Sequence, residues 1–332
     1  MGGVPPTAVR NRLSRAFGER GARGHPEPMA TARSGPSPVL FSATMAVASE
    51  TPASFRSSAI RPRPFTLIRL GFGELLSRRR LIRYLVRADL KRAGSDTLLG
   101  NIWWVIDPLL QMLVYVVLVS VIFARPQKDY ALFVFCAVLP WKWFNSALTD
   151  GIASVVGMER LIKQIAFPKL VLPVASVFAG IVNFFFGLIP LAALMVLFYP
   201  SHITKWLVLI PVIAAVQLLL TLPLTIVLGA INVFFRDVGN LSRHLLRLWF
   251  YVSPSIYAID LLQHAAAKYP VLGVFIFANP WTTLFTSYRD VIYEGRAPDW
   301  MGLGALSLVS LGLLAIAILI FKRLEPTFAK VL

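Results

Sequence analysis

The sequence predicts an all-α integral membrane protein with six transmembrane helices, an N-terminal amphipathic interfacial helix and an outer re-entrant hairpin between spans five and six. Three observations carry this. Hydrophobic residues make up 57% of the chain and charged residues 15%, whereas a soluble domain holds about 25% charged residues to solvate its surface. The mean hydropathy is +0.68, and apolar runs near the ~20 residues of a membrane helix recur along the chain. The charge is also uneven: residues 1–104 hold 17 Lys/Arg against 6 Asp/Glu, and residues 105–332 hold 16 against 10. A basic excess placed directly before a membrane domain favours the cytoplasmic face and its anionic lipids. Membrane lipid is therefore an expected partner and nucleic acid is not. A soluble enzyme, a secreted disulfide scaffold and a conventional transcription factor are excluded. The single cysteine, Cys136, leaves no internal disulfide and no thiolate metal cluster, and reads as a small buried hydrophobe.

Residues 1–65 read as a disordered basic tail, rich in Arg, Ser, Ala, Pro and Gly without sustained apolar periodicity. Met29 and Met45 offer later starting points. Residues 66–101 follow as an amphipathic interfacial helix and turn. On a helical projection Leu81, Ile82, Leu85, Val86 and Leu90 share one half, and Arg80, Arg83, Arg87 and Lys91 share the other. Asp89 lies in the middle of the apolar half, which predicts one polar contact with a protein neighbour. A generic basic anchor beside the membrane is the plainer reading.

Residues 102–332 hold the six spans, at 102–123, 130–156, 170–198, 206–235, 241–259 and 301–321. Lys and Arg decide their orientation. Arg69 to Arg92 is strongly basic; Arg160, Lys163 and Lys169 follow span two; Arg236, Arg243 and Arg247 cluster between spans four and five; Lys322, Arg323 and Lys330 close the chain. Six crossings with both termini in the cytoplasm satisfy that alternation and give a multi-pass protein of the cytoplasmic membrane. Residues 271–288 would tempt a seventh span, but Asn279-Pro280 interrupts them and an extra crossing would put the basic C-terminus outside. They read as an outer re-entrant hairpin formed after Pro254 disrupts span five, the alternative being a plain outer loop.

The sequence has no GxxxxGK[ST] phosphate loop and no HExxH, and its four histidines are scattered. No metal ligands, catalytic residues or cofactor are expected in this chain. Asp107, beside Pro108, is the best intramembrane candidate for function, or else a helix-start residue at the inner interface. Tyr115 in span one and Trp141 and Phe144 in span two could line a channel, because aromatic faces pack against the apolar faces of sugar rings. Core packing is the competing reading. Trp143 points about 160° from Trp141 at ~100° per residue and is expected to pack or to lie at the interface.

The order of local motifs resembles the membrane subunit of type-2 ABC exporters, in the branch that moves O-antigen, teichoic acid and related polysaccharides. Asp89-Leu90-Lys91, Leu99-Gly100, Trp103-Trp104 and Pro108-Leu109-Leu110 match the approach to span one, and Leu139-Pro140-Trp141 with Phe144-Asn145-Ser146-Ala147-Leu148 match span two. Leu161-Ile162-Lys163, Phe167-Pro168-Lys169, Phe234-Phe235-Arg236-Asp237-Val238, Tyr251-Val252-Ser253-Pro254, Asn279-Pro280 and Arg323-Leu324-Glu325-Pro326 complete the series. The run Ala93-Gly94-Ser95-Asp96 departs from the family's basic and aromatic pattern. The resemblance covers the membrane domain, and it implies a homodimer docked on two copies of a separate ATP-binding subunit that holds ATP and magnesium. It also implies a coupling helix at 158–165, holding Lys163 and Ile165 as well, with Glu159 and Arg160 making polar contacts with the ATPase and Leu161 or Ile162 as the apolar anchor. The implied cargo is a lipid-linked polysaccharide on polyprenyl diphosphate. A small hydrophobic drug or lipid is the alternative cargo; an ATP-independent flippase or a membrane glycosyltransferase is the alternative class.

Overall fold

The computed structural model describes residues 63–94, 99–122, 128–260, 273–274, 276 and 278–332. The predicted tail and part of the predicted hairpin lie outside them. All regular structure among the described residues is helical. Five helices are long and apolar enough to cross a membrane: α3 (Trp103–Ile122), α4 (Tyr130–Gly157), α6 (Val171–Phe198), α7 (Ile210–Phe234) and α10 (Trp300–Val331). They fall where apolar length places spans one to four and six. Between them stand α1 (Pro64–Ser77), α2 (Arg79–Gly94), α5 (Glu159–Gln164), α8 (Val238–Val252) and α9 (Pro280–Ile292).

The N-terminal helical segment comes in two pieces that part at Arg78. Pro64 suits the first helical turn because its missing N–H has no intrahelical partner there. α1 lies on α10 at Gly71, where an added Cβ would sit 2.3 Å from the Ile318 side chain.

α4 is the centre of the molecule. It packs against α6, α7, α3, α8 and α9, and it is the most enclosed of the five long helices, as α3 is the least. It crosses α7 closely. A Cβ on Gly151 would fall 2.0 Å from Thr225 Cγ2, and one on Gly229 would fall 3.1 Å from the Gly151 carbonyl oxygen. Small residues at a crossing let membrane helices gain dispersion where lipid provides no hydrophobic drive. Buried polar side chains add bonds across the same seam. Gln217 on α7 donates to the Pro140 carbonyl (2.9 Å) and accepts from Tyr288 on α9 (3.0 Å). Asn232 donates to the Ile152 carbonyl (3.0 Å) and accepts from the Gly239 amide (3.2 Å).

The predicted fifth span, 241–259, is helical only as α8, fifteen residues ending at Val252. At 1.5 Å per residue this is about 22 Å, short of the ~30 Å hydrocarbon layer. The chain turns at Ser253-Pro254. After the break at Asn279, α9 is enclosed by the bundle: Trp281, Leu284, Phe285 and Val291 are fully buried, and the helix packs on α4, α7 and α10.

Candidate functional site

The expected channel residues are core residues. Tyr115, Trp141 and Phe144 retain 7%, 5% and 0% of their exposure. Trp141 lies 4.8 Å, centroid to centroid, from Trp281 and 5.3 Å from both Phe144 and Phe250, and Tyr115 lies 5.6 Å from Phe250. They therefore offer no face to a conduit in this conformation. The cluster seats α8 and α9 on α4, with edge and tilted ring contacts that favour fixed geometry. Trp143 is buried on the other side, against Phe184 (5.1 Å), its indole N–H directed at the Val177 carbonyl (3.4 Å). It packs, as its position on the wheel requires.

The three residues expected in the outer hairpin are brought together. Asn279 caps α9 by accepting from the Trp281 amide (3.1 Å), accepts also from the Trp249 indole (2.9 Å) and donates to Ser253 Oγ (2.8 Å). Pro280 occupies the first turn of that helix. Pro254 turns its carbonyl oxygen onto a group that sequence reasoning missed, the guanidinium of Arg289. Arg289 donates to the carbonyls of Pro254 (2.6 Å), Ser255 (2.5 Å) and Tyr257 (3.4 Å), and its charge lies 3.7 Å from the centre of the Phe133 ring. Beside it Asp290 pairs with Arg296 (2.6 Å), burial raising the carboxyl and Arg296 opposing that shift. The isolated Arg289-Asp290 pair at the end of an apolar segment was the available signal.

The expected coupling segment forms α5. Glu159 pairs with Lys163 at 2.7 Å, with Arg236 at 3.9 Å, and the ammonium of Lys163 holds the Glu159 carboxyl below its usual range. Arg160 and Lys163 are exposed and Leu161 is half-buried. Ile162 corrects the expectation. It is 5% exposed, packed in the protein's own cluster with Val155, Leu170 and Phe321. Ile165, 56% exposed, is the apolar side chain this segment presents outward. The motif Phe167-Pro168-Lys169 meets the motif Glu325-Pro326: the Glu325 carboxylate accepts from the Lys169 amide (2.7 Å) and pairs with Lys322 (2.7 Å), which also pairs with Glu74 on α1.

On α2, Arg83, Arg87 and Lys91 are exposed and Asp89 is half-buried. Asp89 lines a cavity of about 360 Å³ with Asp150, Ser154, Ser176 and Arg92, and burial raises its carboxyl, with Arg92 opposing. Asp107 on α3 pairs with Lys142 on α4, so it joins two helices rather than standing alone at a helix start.

Long apolar helices with buried polar groups bonding helix to helix define a polytopic α-helical membrane protein. No family model matches the chain. It is 36% identical over 257 residues to a protein of Myxococcus xanthus named O-antigen export system permease protein RfbA, across 77% of this chain and 97% of that one. Two proteins of the same name from Klebsiella pneumoniae are each 25% identical over 252 residues, across 76% of this chain and 95% of theirs. The chain belongs to the O-antigen export permeases, membrane subunits of type-2 ABC exporters.

Proposed function

We propose that this chain is the channel-forming permease subunit of an ATP-driven exporter that carries O-antigen-type polysaccharide across the cytoplasmic membrane. The observation that carries the reading is its 36% identity across nearly the whole length of a relative named as an O-antigen export permease. That name disfavours a small hydrophobic drug or lipid as cargo. In this reading two copies of the chain assemble with two copies of a separate ATP-binding subunit, and the glycan travels on a polyprenyl diphosphate.

Exposed apolar side chains support the pairing of copies. α3 leaves Leu110, Leu113, Val114 and Val117 uncovered, and α8 leaves Leu241, Leu245 and Leu248 uncovered. A conduit between copies runs along these faces, since the aromatic cluster is sealed within each. α1 and α2 lie at the cytoplasmic interface, α8 and the chain that continues past the Ser253-Pro254 corner together make the remaining crossing, and α9 is the returning arm of a re-entrant hairpin. At the described corner the carbonyls of Pro254, Ser255 and Tyr257 accept from Arg289, which meets the condition for non-helical chain at membrane depth there. α5 transmits the motion of the ATPase through Glu159, Arg160, Lys163 and Ile165.

The test is reconstitution with the ATP-binding subunit in liposomes. A lipid-linked O-antigen glycan should stimulate ATP hydrolysis and appear on the far side. Stimulation by small hydrophobic compounds and none by the glycan would refute the reading.

A further inference from the structure

Between α1 and α2 on one side and α6, α7 and α10 on the other lies a cavity of about 680 Å³, within the range of built ligand pockets. Ile82, Val86 and Leu90 of α2 form one wall, and Phe178, Ile181 and Leu222 belong to the other. The same cavity is bordered by Arg79, Arg83 and Arg87. Spaced four apart, these three form a single stripe about 12 Å long. All three are exposed, and no carboxylate among the described residues pairs with any of them. Elsewhere on this side of the molecule charges do find partners, as Lys322 does with Glu74 and Glu325.

Three unpaired guanidinium groups bordering an apolar cavity ask for a ligand with both characters. A free phosphate would use the arginines and leave the walls bare. A neutral lipid would fill the walls and leave the arginines unanswered. An anionic lipid uses both, since guanidinium matches phosphate oxygens in two-point hydrogen bonds. Leu76 and Phe72, exposed apolar side chains on α1, continue the lining outward, so a bilayer lipid can enter without crossing a polar barrier. We propose that this cavity seats one anionic phospholipid of the surrounding bilayer, its phosphate on Arg79, Arg83 and Arg87 and its acyl chains in the groove. The lipid then joins α2 to α6 and α7 as a structural component. This inference does not depend on the cargo.

The experiment uses the full chain purified in detergent and offered equal amounts of phosphatidylglycerol and phosphatidylcholine, with bound lipid read by native mass spectrometry. A phosphatidylglycerol adduct should dominate. Each arginine replaced by glutamine should weaken it about fivefold, and the triple variant R79Q/R83Q/R87Q on the order of a hundredfold. Leu76→Trp, at an exposed position, fills the groove while leaving the arginines in place, and should displace both lipids. It keeps the test decisive if the triple variant fails to fold. Equal retention of phosphatidylcholine, adducts undiminished in the variants, or displacement of phosphatidylglycerol by inorganic phosphate or by equimolar polyprenyl phosphate would each overturn the assignment.

Discussion

At the scale of single residues, Arg289 carries the most concentrated burden. One guanidinium serves three backbone carbonyls, those of Pro254, Ser255 and Tyr257, in the non-helical corner beyond the end of α8, where no helix supplies their donors. Lysine keeps the charge but loses the planar fork that reaches several acceptors together. Arg289→Lys should therefore leave at least one buried carbonyl unpaired and cost on the order of 3 kcal/mol. A lowered thermal midpoint of the purified chain in detergent checks this; an unchanged midpoint would mean the corner is held by Asn279 and Ser253 alone. Trp141 belongs to the same scale. Enclosed by Phe144, Phe250 and Trp281, it should cost about 3–5 kcal/mol when cut to alanine. The loss should show as reduced folded yield before any effect on transport can be measured.

At the scale of elements, the five long helices were legible because apolar length is a one-dimensional property of sequence. Their neighbours were not legible. α4 carries a polar stripe near Trp141, formed by Lys142, Asn145, Ser146 and Thr149, but that pattern does not say whether the aromatic residues beside it meet a lumen or a core, and Tyr115, Trp141 and Phe144 are buried. Pro254 signals the end of α8 at Val252, but the carbonyls of the corner beyond it are taken by an arginine 35 positions after that proline, which hydropathy along the chain cannot register. The same blindness affected α5: its formation and its Glu159–Lys163 pair follow from local spacing, but which isoleucine faces inward follows from α10. That difference gives a paired prediction. Ile162→Asp buries a charge among Val155, Leu170 and Phe321 and should abolish stable folding. Ile165→Asp, at an exposed position, should leave folding intact and, if α5 is the joint with the ATPase, release ATP hydrolysis from transport. Normal coupled transport in Ile165→Asp would remove α5 from that role.

At the scale of the whole molecule, the alternation of basic residues predicts both termini on the cytoplasmic side of the membrane. Cys136, the chain's single cysteine, is 1% exposed and will not compete for a reagent. A cysteine introduced at Lys330 should thus stay unlabelled when intact cells meet a membrane-impermeant maleimide, and label after permeabilisation. Labelling before permeabilisation would demand an odd number of crossings. The aromatic cluster has a consequence of another kind. Trp141, Trp249 and Trp281 come from three different helices, with ring centres 4.8 Å apart for Trp141–Trp281 and 6.2 Å for Trp141–Trp249. Indoles held so near one another at fixed angles share their electronic transitions, so the protein carries an optical signature that exists only while α8 and α9 are seated on α4. Near-ultraviolet circular dichroism should lose that signal when α9 unseats, while the far-ultraviolet signal of the helices persists, letting the docking of the outer arm be followed in an unmodified chain.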